Sequence, residues 1–338
     1  MLVSQDLPRG TVELLEVESK ALKDNPLGDP RIRRIPVYLP HGYKKGDDYP
    51  LIFEMASYCN SGLGRLNWDG FKETLPARLD RLMANGEMLP AVVAMPDCYT
   101  RFGGNQYVNG GMGDYADFIN KEVLPLVESV YQCGGKGRRG ITGRSSGGYA
   151  AIIYGMLYSD VWSAIACHAG DMAFDLTNVD MIPGVANTLE KYGNDLSAFV
   201  DDVISANKVS GSQVMALMFL GLCVTYDPDP SQPLSLRLPF DPSTLELIPE
   251  RWENWLKWDP VQMINDQAVQ KSLKSLKHLY IDCGDQDQYL LHYGSRRLVN
   301  AMKEKGIPHE YEEFPDNHSG TDYRYDISLP KMTQVLAC

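Results

Sequence analysis

No two cysteines in this chain stand in Cys-x-x-Cys spacing. The seven present, Cys59, Cys98, Cys133, Cys167, Cys223, Cys283 and Cys338, are scattered and odd in number. That excludes the common zinc and dithiol redox arrangements and makes reduced thiols the expectation. Cys167 and Cys283 lie in apolar strand-like runs, where cysteine behaves as a small hydrophobe. An excess of positive charge is missing too. The formal net charge is -12, which argues against a nucleic-acid or anionic-membrane surface, since either needs clustered Lys and Arg. The short basic run at 136–139 reads as a solvated loop. The longest apolar run, 214–224, is too short to span a bilayer. There is no internal repeat and no low-complexity segment. Nothing at the start of the sequence resembles a charged segment followed by an apolar leader, so the expectation is a cytoplasmic protein, although a mature secreted form reads the same.

What is present fits an ordinary globular enzyme. Apolar content of 44% and charged content of 22% in 338 residues imply a large core and one or two structural units. Strand-like runs fall at 11–18, 32–39, 51–55, 91–95, 140–142, 162–167, 278–283 and 309–314. From the third onward they alternate with helical patterns at 72–84, 115–131, 146–158 and 290–305, a rhythm that implies βαβ units and a mostly parallel sheet. The first two strands precede any helix and are expected to pair antiparallel at one edge. Residues 171–270, between the sixth and seventh strands, break the rhythm and read as a largely helical insertion or lid, leaving 1–170 and 271–338 as the core. Within the insertion 196–206 and 212–224 look helical, and Trp252, Trp255 and Trp258, spaced three apart, read as packing residues. The apolar stretch from Met215 to Leu220 reads as core or as a homodimer interface ahead of a lid over an acyl chain. Asp227 and Asp229 among prolines fall far short of a calcium cage, and no metal is assigned.

The run Gly143-Arg144-Ser145-Ser146-Gly147-Gly148 holds one Gly-x-Ser-x-Gly frame, set between an apolar strand and an Ala-rich helix. A strand-to-helix turn this tight forces its central residue into strained geometry and needs glycines at its flanks, which makes Ser145 the candidate nucleophile. A frame centred on Ser146 would put Arg144 where the first glycine is required. Ser146 is therefore read as an oxyanion donor through its backbone N–H.

A serine hydroxyl needs a histidine to take its proton and a carboxylate to orient that histidine. With a nucleophile elbow of this kind the acid follows a later strand and the histidine comes near the C-terminal end. Only six histidines exist, and only His292, His309 and His318 follow the seventh strand. His292 falls inside a helix and His309 opens a strand. His318 directly follows the last strand in a loop, and is the candidate base. For the acid, Asp282 lies inside the strand, whereas Asp285 and Asp287 lie in the loop after Gly284; Asp287 is preferred and Asp285 is the alternate. A second oxyanion donor belongs to the loop after the third strand, with Tyr58 N–H the best fit. Arg144 and Arg101 are candidates for an anionic part of the substrate or for structural salt bridges, and His168 for lining the pocket.

With serine, acid and histidine in this order, the chain resembles the putative-esterase family of α/β-hydrolases, which includes esterase D-like, enterochelin esterase-like and antigen 85-like members. The residues that carry the resemblance are Pro36 to Tyr43, Thr100 to Tyr107, Gly143 to Gly148, Gly284 to Tyr289 and Asn317-His318, and they span most of the chain. The resemblance implies an α/β-hydrolase fold and cofactor-free hydrolysis of a small-molecule carboxylic ester through a Ser-His-Asp triad. Some relatives transfer acyl groups or cleave peptides, and a catalytically silent hydrolase-fold binding protein is the rival from another class. One departure is visible: relatives often carry His-Gly or a similar glycine-bearing loop after the third strand, where this chain has Ala56-Ser57.

Overall fold

The computed structural model describes residues 7–337; residues 1–6 and Cys338, which the sequence reading counts with the core and with the start of the chain, lie outside the described residues. The molecule is organised by an eight-stranded sheet: β1 (Thr11–Glu18), β2 (Ile32–Leu39), β3 (Leu51–Met55), β4 (Val92–Ala94), β5 (Arg139–Arg144), β6 (Ala164–His168), β7 (His278–Gly284) and β8 (Glu310–Phe314). Their spatial order is β1-β2-β4-β3-β5-β6-β7-β8. The edge strands β1 and β2 run antiparallel, β2 meets β4 antiparallel, and every later pairing is parallel.

Parallel strands are covered on both faces, which is why β3, β4 and β6 are buried at every residue and are mostly apolar, Glu54 in β3 and His168 at the end of β6 being the exceptions. Their side chains alternate between two apolar layers. Ile52, Val93, Ala164, Ala166 and Tyr280 face α1 (Leu75–Ala84) and the C-terminal helix Tyr325–Leu336. Phe53, Ile141, Ile165 and Ile281 face the opposite layer, which holds α2 (Leu124–Tyr131) and α3 (Ser146–Leu157). Helix α1 starts at Leu75, three residues later than the pattern at 72–84 implies, because Thr74 caps it: Thr74 Oγ1 accepts Ala77 N–H at 3.2 Å and a proline stands in the first turn.

Between β6 and β7 lie α4 (Phe174–Leu189), α5 (Leu196–Ser205), α6 (Gly211–Tyr226), α7 (Pro249–Leu256), a short turn at Pro260–Met263, and α8 (Gln267–Lys274). The segment is helical, as its pattern implies. Helix α6 opens with a capping box between Ser210 and Gln213, and every residue from Phe219 to Tyr226 is buried. A helix apolar on all sides belongs inside, not on a surface. Its Phe219 and Tyr226 lie 5.2 and 5.3 Å from the Trp255 ring, which stacks on Trp252. Met215 to Leu220 is thus the start of a core helix, and the insertion shares one continuous apolar cluster with α3 and the sheet. Asp259 fastens its beginning, accepting the N–H groups of Ala173 and Phe174 at 2.9 Å each. The remaining helices are α9 (Leu291–Glu304) and α10 (Tyr325–Leu336).

Candidate active site

The turn from β5 to α3 puts Ser145 at φ 59°, ψ −124°, in the left-handed half of backbone space that side chains other than glycine rarely enter. Such strain persists only where the surroundings fix it. Here Ser145 N–H donates to the His168 carbonyl at 2.9 Å, and Tyr149 N–H donates back to the Ser145 carbonyl at 2.8 Å. The flanking glycines are demanded by the passing end of β3. A Cβ on Gly143 would lie 2.5 Å from Met55 O, and one on Gly147 would lie 1.9 Å from the same atom. Ser145 itself is half-buried and open to solvent at the carboxyl edge of the sheet.

The loops after β7 and β8 meet beside this turn. Asp287 Oδ2 and His318 Nδ1 are 2.7 Å apart. Asp287 is fixed in turn by Tyr289 N–H, which reaches its Oδ1 at 2.9 Å, while Gln288 Oε1 accepts His318 N–H at 3.0 Å. The Tyr289 ring stands edge-on to the imidazole, 4.9 Å between centroids. Burial alone would raise the Asp287 carboxyl, but the hydrogen bond and charge of His318, with backbone N–H groups, outweigh it and hold the acid below the usual aspartate value. Close passage of the two loops requires Gly284, where a Cβ would fall 2.2 Å from Asp316 O. Asp285, the alternate acid, is exposed. Among the described residues no hydrogen bond joins Ser145 Oγ to His318; catalytic hydrogen bonds are often loose before substrate binds.

The two expected oxyanion donors sit on separate elements. Ser146 is the first residue of α3, so its N–H has no carbonyl one turn back to receive it. Tyr58 is in the loop after β3, and that loop is clamped by residues 100–107: Tyr58 Oη donates to Phe102 O, Tyr107 Oη donates to Ala56 O at 2.5 Å, and Gly104 passes so close that a Cβ would lie 2.6 Å from Tyr58 Cα. With Ala56-Ser57 in place of a glycine-bearing turn, the loop takes its shape from this clamp.

The three remaining candidates behave differently from one another. Arg144 turns its guanidinium to the histidine loop, donating from Nη1 to the His318 carbonyl at 2.6 Å and pairing with Asp322 at 3.4 Å. Asp322 also pairs with Arg65 at 3.2 Å, and Arg65 with Glu54 on β3 at 3.1 Å, so a chain of charges ties β3 to the loop that carries His318. Arg101 lies on an exposed turn, its N–H on Asp29 Oδ1 at 3.0 Å. His168 does not line a pocket. Its ring is buried beneath the sheet's edge, Nδ1 at 2.7 Å from Asp282 and Nε2 at 2.8 Å from Ser328, and only its carbonyl touches the turn at Ser145.

Two residues near Ser145 escape a reading of the sequence alone. Gln106 is buried and its Nε2 lies 3.4 Å from Ser146 Oγ and 2.9 Å from Asp171 Oδ2. Asp171 follows Ala169-Gly170 at the end of β6, and the signal available was a carboxylate just past the carboxyl end of a parallel strand. No group of three or more His, Cys, Asp or Glu side chains arranged to hold a metal occurs among the described residues. Nor is any helix among them long and apolar enough to cross a membrane.

The putative esterase family matches residues 30–333 of this chain. Among solved structures, a ferulic acid esterase superposes with a TM-score of 0.61 at 20% identity, over 97% of this chain and 99% of that one. An S-formylglutathione hydrolase from Agrobacterium tumefaciens gives 0.57 at 13% identity over 98% of each chain. The feruloyl esterase module from Clostridium thermocellum gives 0.56 at 13% identity, over 96% of this chain and 88% of that one. At such identities the likeness is one of fold, and the fold is that of the α/β-hydrolases. No curated protein matches the chain.

Proposed function

The chain belongs to the putative esterase family and is a carboxylic ester hydrolase, and we propose that it works through an acyl-enzyme formed on Ser145. In this reading Ser145 Oγ attacks the ester carbonyl while His318 Nε2 takes its proton. The tetrahedral oxyanion is held by the N–H groups of Ser146 and Tyr58. His318 then gives the proton to the departing alcohol, and water repeats the sequence on the acyl-enzyme. Each oxyanion donor is worth roughly a hundred- to a thousandfold in turnover. The observation that carries the reading is the 2.7 Å contact between the buried Asp287 and His318 Nδ1. It fixes the proton on Nδ1 and leaves Nε2 free to act as a base. The strained, half-open Ser145 supports the same reading from the other side.

The substrate in this proposal is a small-molecule ester, in keeping with the ferulic acid esterases and S-formylglutathione hydrolases among the structural neighbours. Arg144 acts on the His318 loop and not on the substrate. The test is hydrolysis of p-nitrophenyl esters from acetate to decanoate, with fluorophosphonate labelling, by wild type and Ser145→Ala side by side. Turnover and labelling in the wild type, both lost in the variant, are expected. Equal behaviour of the two proteins sinks the assignment of Ser145.

A further inference from the structure

Asp171 is a carboxylate in the candidate site that the reaction above does not use. It leaves β6 through Ala169, whose φ of 45° turns the chain sharply back over the start of α3. A Cβ on Gly170 would meet Gly148 C at 2.8 Å, so residues 169–171 lie directly on the first turn of the helix that begins at Ser146. The carboxylate is close enough to His318 and Asp287 to feel both charges. One of its oxygens, Oδ2, is held by Gln106 Nε2 at 2.9 Å. The other, Oδ1, has no hydrogen-bond partner among the described residues, and the residue is only half-buried. The Gln106 side chain is nine-tenths or more buried, and its Oε1 is also without a partner. The Tyr226 hydroxyl, near enough to Asp171 to interact with its charge, is buried beside Tyr149, 6.1 Å between ring centroids.

Such an arrangement has a chemical sense. Among the described residues no Lys or Arg is paired with Asp171, so the protein supplies it with one amide donor and leaves Oδ1 open to the site. The buried acceptor without a donor among the described residues is Gln106 Oε1, and such groups are costly, so native proteins keep few of them. Burial pushes the Asp171 carboxyl above its usual value, with Gln106 and His318 pulling it back only in part. A bound group that donates hydrogen bonds would relieve that cost. An ammonium group fits less well than a hydroxyl, because it would stand beside the imidazolium that His318 becomes in every turnover and oppose its formation.

Building on the ester-hydrolase reading, we propose that Asp171, held by Gln106, receives a hydroxyl of the substrate. The enzyme then selects esters of polyols or other hydroxylated molecules over alkyl esters of the same size. A site built to hydrogen-bond a hydroxyl discriminates strongly against the analogue that lacks it, because its own polar groups are then left unpaired.

The experiment compares kcat/KM for glyceryl monoacetate, its alkyl isostere 2-methylbutyl acetate, and acetylcholine, in a pH-stat assay on the full chain. In the wild type, glyceryl monoacetate is expected to exceed 2-methylbutyl acetate by about tenfold or more, the order of one hydrogen bond to a charged acceptor. In Asp171→Asn, which turns the free acceptor into a donor, that ratio should collapse to near one or below. The ratio is the readout, whatever the absolute rates do. A wild-type ratio near one overturns the proposal even if the variant fails to fold. So does an unchanged ratio in a folded variant, and so does a preference for acetylcholine, which would make this a cation site. Hydrolysis of both uncharged esters at equal rates sinks the hydroxyl subsite and leaves the esterase standing. No hydrolysis of any ester, with no fluorophosphonate labelling, sinks the esterase reading and the subsite with it.

Discussion

The protein contains two buried aspartate–histidine pairs, and in the mechanism proposed above only one of them takes part in the chemistry. In both, a buried aspartate meets a histidine Nδ1 at 2.7 Å: Asp287 with His318, and Asp282 with His168. In both, burial would raise the carboxyl and the histidine pulls it back below the usual aspartate value. The differences lie around that shared unit. Ser328, 2.8 Å from His168 Nε2, sits inside α10 with no exposed surface. Asp282 is shared with Arg324 at 2.9 Å and with the Tyr280 hydroxyl at 3.0 Å. Ser145 instead stands on a strained turn, half-open, at the start of α3. An Asp–His pair is thus not in itself a catalytic device. It becomes one when its serine faces solvent next to a place for an oxyanion, and it is a structural bracket when a permanent cation and a helix close it in.

The sharpest way to break the comparison is to exchange the serines one at a time. Ser145→Ala is expected to lower kcat by roughly a millionfold, the scale seen when a nucleophile is removed from a working triad. Ser328→Ala should leave kcat within a fewfold of wild type and lower the melting temperature, since it leaves His168 Nε2 buried without its partner. If Ser328→Ala abolishes turnover in a protein that still melts cooperatively, the two constellations are not separable. Next in size is the acid. Asp287→Asn should cost about ten-thousandfold in kcat by releasing the tautomer of His318, with a modest loss of stability. Asp282→Asn should do the reverse. Stripping one partner from a buried network costs about 3–5 kcal/mol, read as a drop in the denaturant midpoint, with far less effect on kcat per folded molecule. The reverse pattern in both variants would overturn the division of labour.

The division was partly legible beforehand, and the reason is local. Gly143, Ser145 and Gly147 are three near neighbours whose spacing already encodes the turn. Asp287 and His318 each lie in the loop just past a strand, whereas Asp282 lies inside one, where a side chain is buried between sheet and helix. What could not be read is whatever depends on distant segments meeting. Ser328 comes 160 residues after the His168 it touches, and Arg144 meets the His318 carbonyl across 174 residues. Helix α6 shows a different limit. Its apolar surface on all sides announces burial but not what buries it, and Trp255 and α3 supply that answer only in three dimensions.

Arg144 offers a smaller test, on the catalytic side of the comparison. Arg144→Met removes the guanidinium from the His318 carbonyl and from Asp322, and a slight misplacement of the base is expected to lower kcat by about ten- to a hundredfold with little change in KM. Arg144→Lys should recover part of the loss, because an ammonium can still donate to the carbonyl but lacks the fork that also reaches Asp322. A rise in KM confined to anionic esters, with kcat untouched, would instead make Arg144 a substrate contact.

The smallest effect expected is in acid, and it separates the brackets by their stability. Asp282 is held below the ordinary aspartate value, so the unfolded chain takes up its proton first as pH falls. The stabilisation due to its ionised form is therefore complete above about pH 4, near the unfolded value, and disappears as pH drops through the lower folded value. The gap in melting temperature between wild type and Asp282→Asn should then stay constant from about pH 8 down to about pH 5 and narrow below about pH 4. Groups with raised values, Asp171 and Glu54 among them, slope the other way, but they are present in both proteins and cancel in the difference. The same measurement on Asp287→Asn should show a smaller gap with the same narrowing, because Asp287 faces one histidine and backbone N–H groups where Asp282 also holds Arg324. A larger gap for Asp287 than for Asp282 would mean that the Asp287–His318 pair, not the Asp282–His168 pair, is the structural bracket.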